Sequence, residues 1–146
     1  MVGQSPTLAE AASVEASKAN RKTVLIVEDD PFLLNLLVTR FEKAELNVIK
    51  AMSGEEALQM LREQKVKPDL ILLDIILPQK SGFEVLEEIQ SDPTLQKAPV
   101  IITSNLGQQS DVERGKKLGV IDYFVKAQTP IDQLVDKVKE IVGSAR

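Results

Sequence analysis

The chain has 146 residues, of which 43% are hydrophobic and 27% charged, and its formal net charge is −4 at pH 7. This length fits one globular domain with a short appendage. Because the chain has no cysteine and no histidine, disulfides, thiolate chemistry, catalytic triads and histidine-ligated metals are excluded. The negative net charge argues against direct nucleic-acid binding. No apolar run of about 20 residues occurs, so the sequence predicts no membrane span.

The start of the chain differs in composition from the rest. It is rich in alanine, serine and glutamate, with only scattered apolar side chains. We predict a flexible tail over residues 1–21, followed by a single domain over residues 22–146. The tail does not resemble a secretory signal, because no basic segment followed by an apolar run is found there, and we expect a cytoplasmic protein.

From Thr23 onward, short β-rich runs alternate with amphipathic segments, which predicts βα units around a parallel sheet. Three of the runs are continuously apolar, as expected for strands that helices cover on both faces. The predicted strands cover residues 24–27, 47–50, 70–73, 100–103 and 122–125, and the predicted helices cover residues 31–44, 53–64, 83–90, 110–118 and 130–142. The predicted fold class is therefore α/β, with a doubly wound sheet of five parallel strands flanked by five helices.

Several residues mark the ends of the predicted helices. Pro31 suits a first helical turn, where its missing N–H costs nothing. Ser53 and Ser110 stand where N-caps are expected, and Gly119 suits a helix stop. These signals set the helix boundaries used above.

Acidic side chains follow two of the predicted strands. Glu28, Asp29 and Asp30 follow the first strand, and Asp74 follows the third. Ligands of doubly wound sheets bind beyond the carboxyl ends of the strands. A single loop carboxylate is usually solvated or caps a helix, but several that converge repel one another unless a cation lies between them. The pattern predicts an oxygen-ligated Mg²⁺ site.

Two more strand ends carry suitable chemistry, with Ser104 after the fourth strand and Lys126 after the fifth. Taken singly, the serine is typical of a helix cap or a turn, and the lysine is typical of a solvated cation. Phosphoryl transfer needs a nucleophile and groups that neutralise the transferred oxygens. A carboxylate, a hydroxyl and an ammonium at one edge of the sheet favour Asp74 as that nucleophile.

Four stretches of the sequence are distinctive as a set: Val24-Leu-Ile-Val-Glu-Asp-Asp30, Asp69-Leu-Ile-Leu-Leu-Asp-Ile-Ile-Leu-Pro-Gln-Lys-Ser-Gly82, Pro99-Val-Ile-Ile-Thr-Ser104 and Asp122-Tyr-Phe-Val-Lys126. Together they make the region from about residue 23 to residue 142 similar to the receiver domain of two-component response regulators, of the stand-alone chemotaxis type. The resemblance implies a flavodoxin-like sheet with strand order 2-1-3-4-5. It also implies a phosphorylation-activated signalling switch rather than an enzyme.

The resemblance assigns a role to each residue of the set. It implies that Asp74 accepts the phosphoryl group with the help of Lys126 and Ser104, and that Ser104 and Tyr123 form the switch. It implies bound Mg²⁺, with Mn²⁺ as a substitute. It implies that Asp29 and Asp74 contact the metal directly, that Glu28 contacts it through water, and that Ile76 adds its backbone carbonyl.

The resemblance also implies partners. A histidine kinase or phosphotransfer protein would donate the phosphoryl group, and a downstream protein would read the face formed by the fourth helix, fifth strand and fifth helix. A phosphorylation-dependent dimer is compatible with this scheme. Ile76 and Leu106 occupy positions where family members help or hinder an attacking water, and because both are apolar we predict slow autodephosphorylation.

Two positions depart from the family pattern. Ala127 replaces the usual proline after the lysine, which argues against the usual cis peptide, because a cis bond to alanine costs about 3 kcal/mol. Asn105 replaces a residue that is usually small. It would narrow the approach to Asp74 or hydrogen-bond the phosphoryl group, and either would change the rate constants.

The first predicted helix carries more apolar residues than core packing requires, spread over about 200° against the usual stripe of about 100°. One interpretation is a thick core beneath flanking loops. The other is that Phe32, Leu33 and Leu36 dock a helical domain of the kinase beside the site.

Three alternatives stay open at this point. A degenerate receiver would act as an unphosphorylated protein-binding module, although the complete residue set argues against it. A phosphohydrolase with an aspartate nucleophile typically needs a second acid where this chain has Ile76. A flavin or nucleotide carrier would need a glycine-rich loop after the first strand, and that stretch contains no glycine.

Overall fold

The structure, a computed structural model, describes residues 20–95 and 97–144. Most of the predicted flexible tail, residues 1–19, lies outside the described residues, and the domain boundary at residue 22 stays a prediction. No helix within the described part of the chain is long and apolar enough to span a membrane.

Five strands and five helices alternate within the described residues, which confirms the predicted fold class. The strands are β1 (Thr23–Val27), β2 (Asn47–Ala51), β3 (Leu70–Asp74), β4 (Val100–Ser104) and β5 (Asp122–Val125). The helices are α1 (Pro31–Lys43), α2 (Gly54–Arg62), α3 (Gly82–Ser91), α4 (Gln109–Lys117) and α5 (Ile131–Ser144), and a short 3₁₀ turn, Lys126–Gln128, follows β5. All strand pairs are parallel in the order β2-β1-β3-β4-β5, as predicted.

The sheet buries an apolar layer on each face. Ile71 and Leu73 of β3 belong to the layer under α2 and α3, whereas Leu70 and Leu72 belong to the layer under α1 and α5. Successive strand residues point to opposite faces, so a strand covered on both sides must be apolar throughout. This explains the unbroken apolar run before Asp74 and fixes that residue at the end of a rigid central strand.

Most helix ends follow the predicted signals. Pro31 occupies the first turn of α1, Ser53 Oγ accepts the Glu56 N–H at the start of α2, and Gly119 follows α4 with a φ of 85°. The prediction that Ser110 is an N-cap was wrong. Helix α4 begins at Gln109, one residue before Ser110. The residue that caps this helix makes no side-chain hydrogen bond, and backbone hydrogen bonds close the first turn.

Two features near the helix ends were not predicted. Ser81 caps α3 by accepting the Glu84 N–H, and its spacing to that glutamate is the capping-box pattern that sequence reasoning overlooked. The turn that contains Ala127 is 3₁₀, and no cis peptide occurs among the described residues. The departure from proline at Ala127 is thus accommodated by a trans peptide.

Candidate functional site

The carboxyl ends of four neighbouring strands converge on one acidic pocket. Asp74 is the last residue of β3 and Glu28 directly follows β1, and the two residues are 4% and 2% exposed. Ser104 ends β4, and Lys126 follows β5. Asp74 and Ser104 are themselves paired in the sheet, rather than lying just beyond it as predicted. The backbone of the site is therefore held by strand hydrogen bonds.

Lys126 joins the two buried carboxylates. Its Nζ donates to Asp74 Oδ2 at 2.8 Å and to Glu28 Oε1 at 2.5 Å. The second oxygen of each carboxylate also has a donor: the Ile76 N–H reaches Asp74 Oδ1 at 3.2 Å, and the Asp30 N–H reaches Glu28 Oε2 at 3.0 Å. Every oxygen of the buried pair is thus hydrogen-bonded.

The electrostatics of the pocket follow from burial and this shared lysine. Burial raises the pKa of Glu28, against the lowering effect of its hydrogen bond with Lys126. Burial lowers the pKa of Lys126, but the hydrogen bonds to Asp74 and Glu28 outweigh it, and the net shift is upward. The lysine is therefore held as an ammonium. Asp29 adds a third acid, so the carboxyls outnumber the ammonium.

Glu28, Asp29 and Asp74 form a candidate metal site. Each offers one carboxylate oxygen, and these oxygens lie within 4.8 Å of one another. Asp29 is exposed, so the cluster opens to solvent on one side. Because all the donors are carboxylate oxygens, the set fits a hard divalent cation such as Mg²⁺.

The neighbouring acid Asp30 has a different task. Its Oδ1 accepts the Phe32 N–H at 3.0 Å and so caps α1. Ile76, whose carbonyl is a predicted ligand, is held beside Asp74 by the N–H bond described above, and its side chain is 54% exposed. Of the three acids that follow β1, Glu28 is thus buried and paired with the lysine, Asp29 is an exposed candidate metal ligand, and Asp30 caps a helix.

The predicted switch residues meet at Leu106, in the loop between β4 and α4. Ser104, which is fully buried, accepts the Leu106 N–H at its Oγ at 3.2 Å. The Tyr123 hydroxyl donates to the Leu106 carbonyl oxygen. Burial raises the pKa of Tyr123, so its hydroxyl stays a donor. One loop residue therefore connects the serine of the site to the tyrosine of β5. The neighbouring Asn105 is exposed.

The loop after Asp74 folds back tightly under the site. The Gly82 N–H donates to the Ile75 carbonyl at 2.8 Å, and a Cβ at Gly82 would lie 2.2 Å from the Asp74 carbonyl oxygen. No side chain fits in that space. Gly82 thus lets α3 begin directly beneath the candidate nucleophile.

Ion pairs that sequence reasoning missed brace this loop against the adjacent helices. Lys80 pairs with Glu55 of α2 and with Glu88 of α3. Arg62 of α2 pairs with the same Glu88 and with Asp92. Partners that lie eight or more residues apart on different elements leave no periodic signal in the sequence, which is why they escaped detection.

The three predicted docking residues on α1 lie in different surroundings. Phe32 is 87% exposed and Leu36 is 42% exposed. Leu33 is half-buried and packs against the core layer under α1 and α5. Of these three residues, Phe32 and Leu36 therefore present open apolar surface.

Residues 24–139 match the response regulator receiver domain family. The chain belongs to this family. It is 34% identical over 110 residues to protein PilH of Pseudomonas aeruginosa, with 75% of this chain and 87% of PilH covered. As a receiver domain of a response regulator, it is a phosphoacceptor signalling module and not a classical enzyme.

Solved structures of other response regulators share the fold. The phosphorylated cyanobacterial phytochrome response regulator RcpA is 32% identical, with a TM-score of 0.75 and coverage of 86% of this chain and 96% of RcpA. The Mn²⁺-bound form of response regulator Rcp1 is 30% identical, with a TM-score of 0.72 and the same two coverages.

Proposed function

We propose that this receiver domain accepts a phosphoryl group on Asp74 from a phosphohistidine of a histidine kinase or phosphotransfer protein. The observation that carries the proposal is the contact of Lys126 with Asp74, beside the open cluster formed with Glu28 and Asp29. The phosphorylated state of the relative RcpA supports it. The proposal places the protein in the cytoplasm, where ATP-dependent kinases supply phosphohistidine.

The reaction is a substitution at phosphorus. An Asp74 carboxylate oxygen forms the new P–O bond, the P–N bond to the donor imidazole breaks, and the imidazole leaves with that electron pair. The Ile76 N–H holds Oδ1 and Lys126 holds Oδ2, so the carboxylate is positioned before the donor arrives. We expect Lys126 to move its contact to the transferred oxygens. Mg²⁺, when bound, neutralises charge on these oxygens and on the carboxylates.

We propose Glu28, Asp29, Asp74 and the Ile76 carbonyl as the residues that hold the ion. The Mn²⁺-bound form of the relative Rcp1 supports the binding of a divalent cation. Electron paramagnetic resonance of free Mn²⁺ tests this directly. We expect Asp29→Asn to weaken Mn²⁺ binding by about tenfold or more. Asp30→Asn is the matched control, because it removes the adjacent charge but keeps a good N-cap. Equal affinity of both variants and the wild type would contradict the assignment.

The output follows from the contacts at Leu106. When the Ser104 hydroxyl donates to the new phosphoryl oxygens, the β4–α4 loop is drawn toward Asp74, and the Tyr123 bond to Leu106 must adjust. We propose that a downstream protein binds the face formed by α4, β5 and α5. It binds either a monomer of this domain or a phosphorylation-dependent dimer. If Tyr123→Ala is phosphorylated normally but phosphorylation no longer changes binding of the downstream protein, this coupling is supported.

Phe32 and Leu36 are the proposed docking surface for the donor. Their exposure beside the end of β1 supports contact with a helical domain. We expect Phe32→Glu to slow transfer from a phosphorylated histidine phosphotransfer domain by about tenfold or more while leaving phosphorylation by acetyl phosphate unchanged. Leu33→Glu does not separate docking from folding, because the half-buried Leu33 packs against the core layer. Equal slowing with both donors would overturn the docking role.

A further inference from the structure

A second cavity lies far from the acidic pocket, near the amino-terminal end of β3. It has a volume of about 290 Å³ and lies between the last turns of α2 and α3. Its apolar lining consists of Leu61, Val66, Ile71, Ile89 and Leu95. Four of these side chains are buried and Val66 is half-buried. The cavity therefore offers an aliphatic floor at the opposite end of the strand from Asp74.

The mouth of this cavity carries positive charge. Lys65 and Lys67 line it, and both are exposed. Across residues 20–95 and 97–144, neither lysine has a hydrogen bond or an ion pair. Arg62 also lines the cavity, but Glu88 and Asp92 neutralise it. The uncompensated charge at the mouth is thus that of the two lysines.

The position of Lys65 adds a conformational observation. Its φ is 54°, in the left-handed region that glycine adopts without strain, and the turn is closed by the Val66 N–H on the Met60 carbonyl. A lysine is disfavoured there relative to glycine. A lysine at this position is consistent with a use for the ammonium, and its replacement by glycine removes the charge without straining the fold.

We propose that this cavity binds a small amphipathic carboxylate, with its hydrocarbon chain on the aliphatic floor and its carboxylate between Lys65 and Lys67. The volume lies at the lower end of small-ligand pockets, which suits a single short chain. A peptide backbone would need hydrogen-bond partners that the floor lacks, and the Thr94 hydroxyl is already donated to Asp92. A cationic amphiphile would be repelled by the lysines.

Titration with decanoate, below its micellar concentration, tests the site. Methyl resonances of Leu61, Val66 and Leu95 report binding by NMR. We expect saturable shifts with a Kd of about 0.1–1 mM, in the range of weak small-ligand binding. Decanol and decyltrimethylammonium are the matched neutral and cationic probes. We expect decanol to bind about fivefold or more weakly, and the cation not to shift these methyl groups. Equal shifts with all three probes would overturn the proposal.

Two variants separate recognition from folding. Lys65→Gly removes one ammonium and relieves the left-handed backbone, so we expect decanoate affinity to fall about threefold or more while Tm is unchanged or higher. Lys67→Gln should cause a similar loss. Lys50→Gln, on the edge strand β2, is the control and should bind decanoate like the wild type. Unchanged affinity in the Lys65→Gly, Lys67→Gln double variant would overturn the carboxylate assignment.

Discussion

Lys126 Nζ lies 2.8 Å from Asp74 Oδ2, at the end of the central strand. The lysine side chain is 19% exposed and that of the aspartate 5%, so the contact is shielded from water. Charge pairs of this kind stabilise only as long as both members are present, because the remaining charge is otherwise buried alone. The lysine therefore has a structural role in the unphosphorylated domain as well as its proposed catalytic one.

Removal of Lys126 should destabilise the metal-free domain. We expect Lys126→Ala to lower the free energy of unfolding by about 1–3 kcal/mol in EDTA, since Glu28 and Asp74 lose their shared donor. Mg²⁺ should recover more stability in the variant than in the wild type. Urea unfolding with and without Mg²⁺ measures both effects, and identical midpoints in EDTA would refute the structural role.

A methyl group at Gly82 should disturb the site from below. Gly82→Ala places a Cβ against the backbone of Asp74 and Ile75, which cannot move away as a side-chain tip would. We expect a loss of about 1–3 kcal/mol in stability and slower phosphorylation. Gly143→Ala is the matched control, because nothing lies within 4 Å of its Cβ position and alanine favours a helix. Equal effects of the two variants would contradict this interpretation.

The exposed side chain of Ile76 should set the lifetime of the phosphorylated form. No polar group at this position can orient an attacking water, and we expect Ile76→Asn to speed loss of the phosphoryl group by about tenfold. The decay is followed by intact mass after removal of the donor. A wild-type lifetime of seconds, together with an equally fast variant, would show that Ile76 does not control hydrolysis.

The carboxyl of Asp92 should contribute to acid sensitivity. Hydrogen bonds from Thr94 and Arg62 lower its pKa from 3.8 to about 2. A group with a depressed pKa in the folded state stabilises above its unfolded pKa, and the contribution is lost as pH falls through the folded value. We therefore expect wild type and Asp92→Asn to converge in urea midpoint as pH falls from 3.8 to about 2. A constant difference across that interval would exclude this contribution.

Strand ends were the most informative part of the sequence. Apolar runs such as residues 70–73 are local signals, and parallel strands bring their carboxyl ends to one edge, so the meeting of Asp74, Glu28 and Lys126 was predictable. The exact bounds were not. Pairing of Asp74 with Thr103, and of Ser104 with Val125, extends β3 and β4 by one residue into the site.

Features that depend on tertiary contacts could not be predicted from the sequence. The half-buried state of Leu33 depends on where α5 packs, and the sharing of Glu88 between Lys80 and Arg62 depends on the spacing of α2 and α3. The sequence also did not predict where α4 begins, because no side chain caps this helix. Periodicity along one segment contains no information about such neighbours.

The central claim is that Asp74 accepts a phosphoryl group, and intact mass after incubation with acetyl phosphate and Mg²⁺ tests it most directly. We predict a gain of about 80 Da in the wild type, corresponding to one phosphoryl group, and none in Asp74→Ala or when EDTA replaces Mg²⁺. If acetyl phosphate gives no adduct, a phosphohistidine donor is tried next. An unmodified wild type with both donors, or an adduct that persists in Asp74→Ala, would contradict the claim. An unmodified wild type would favour the degenerate receiver that only binds proteins.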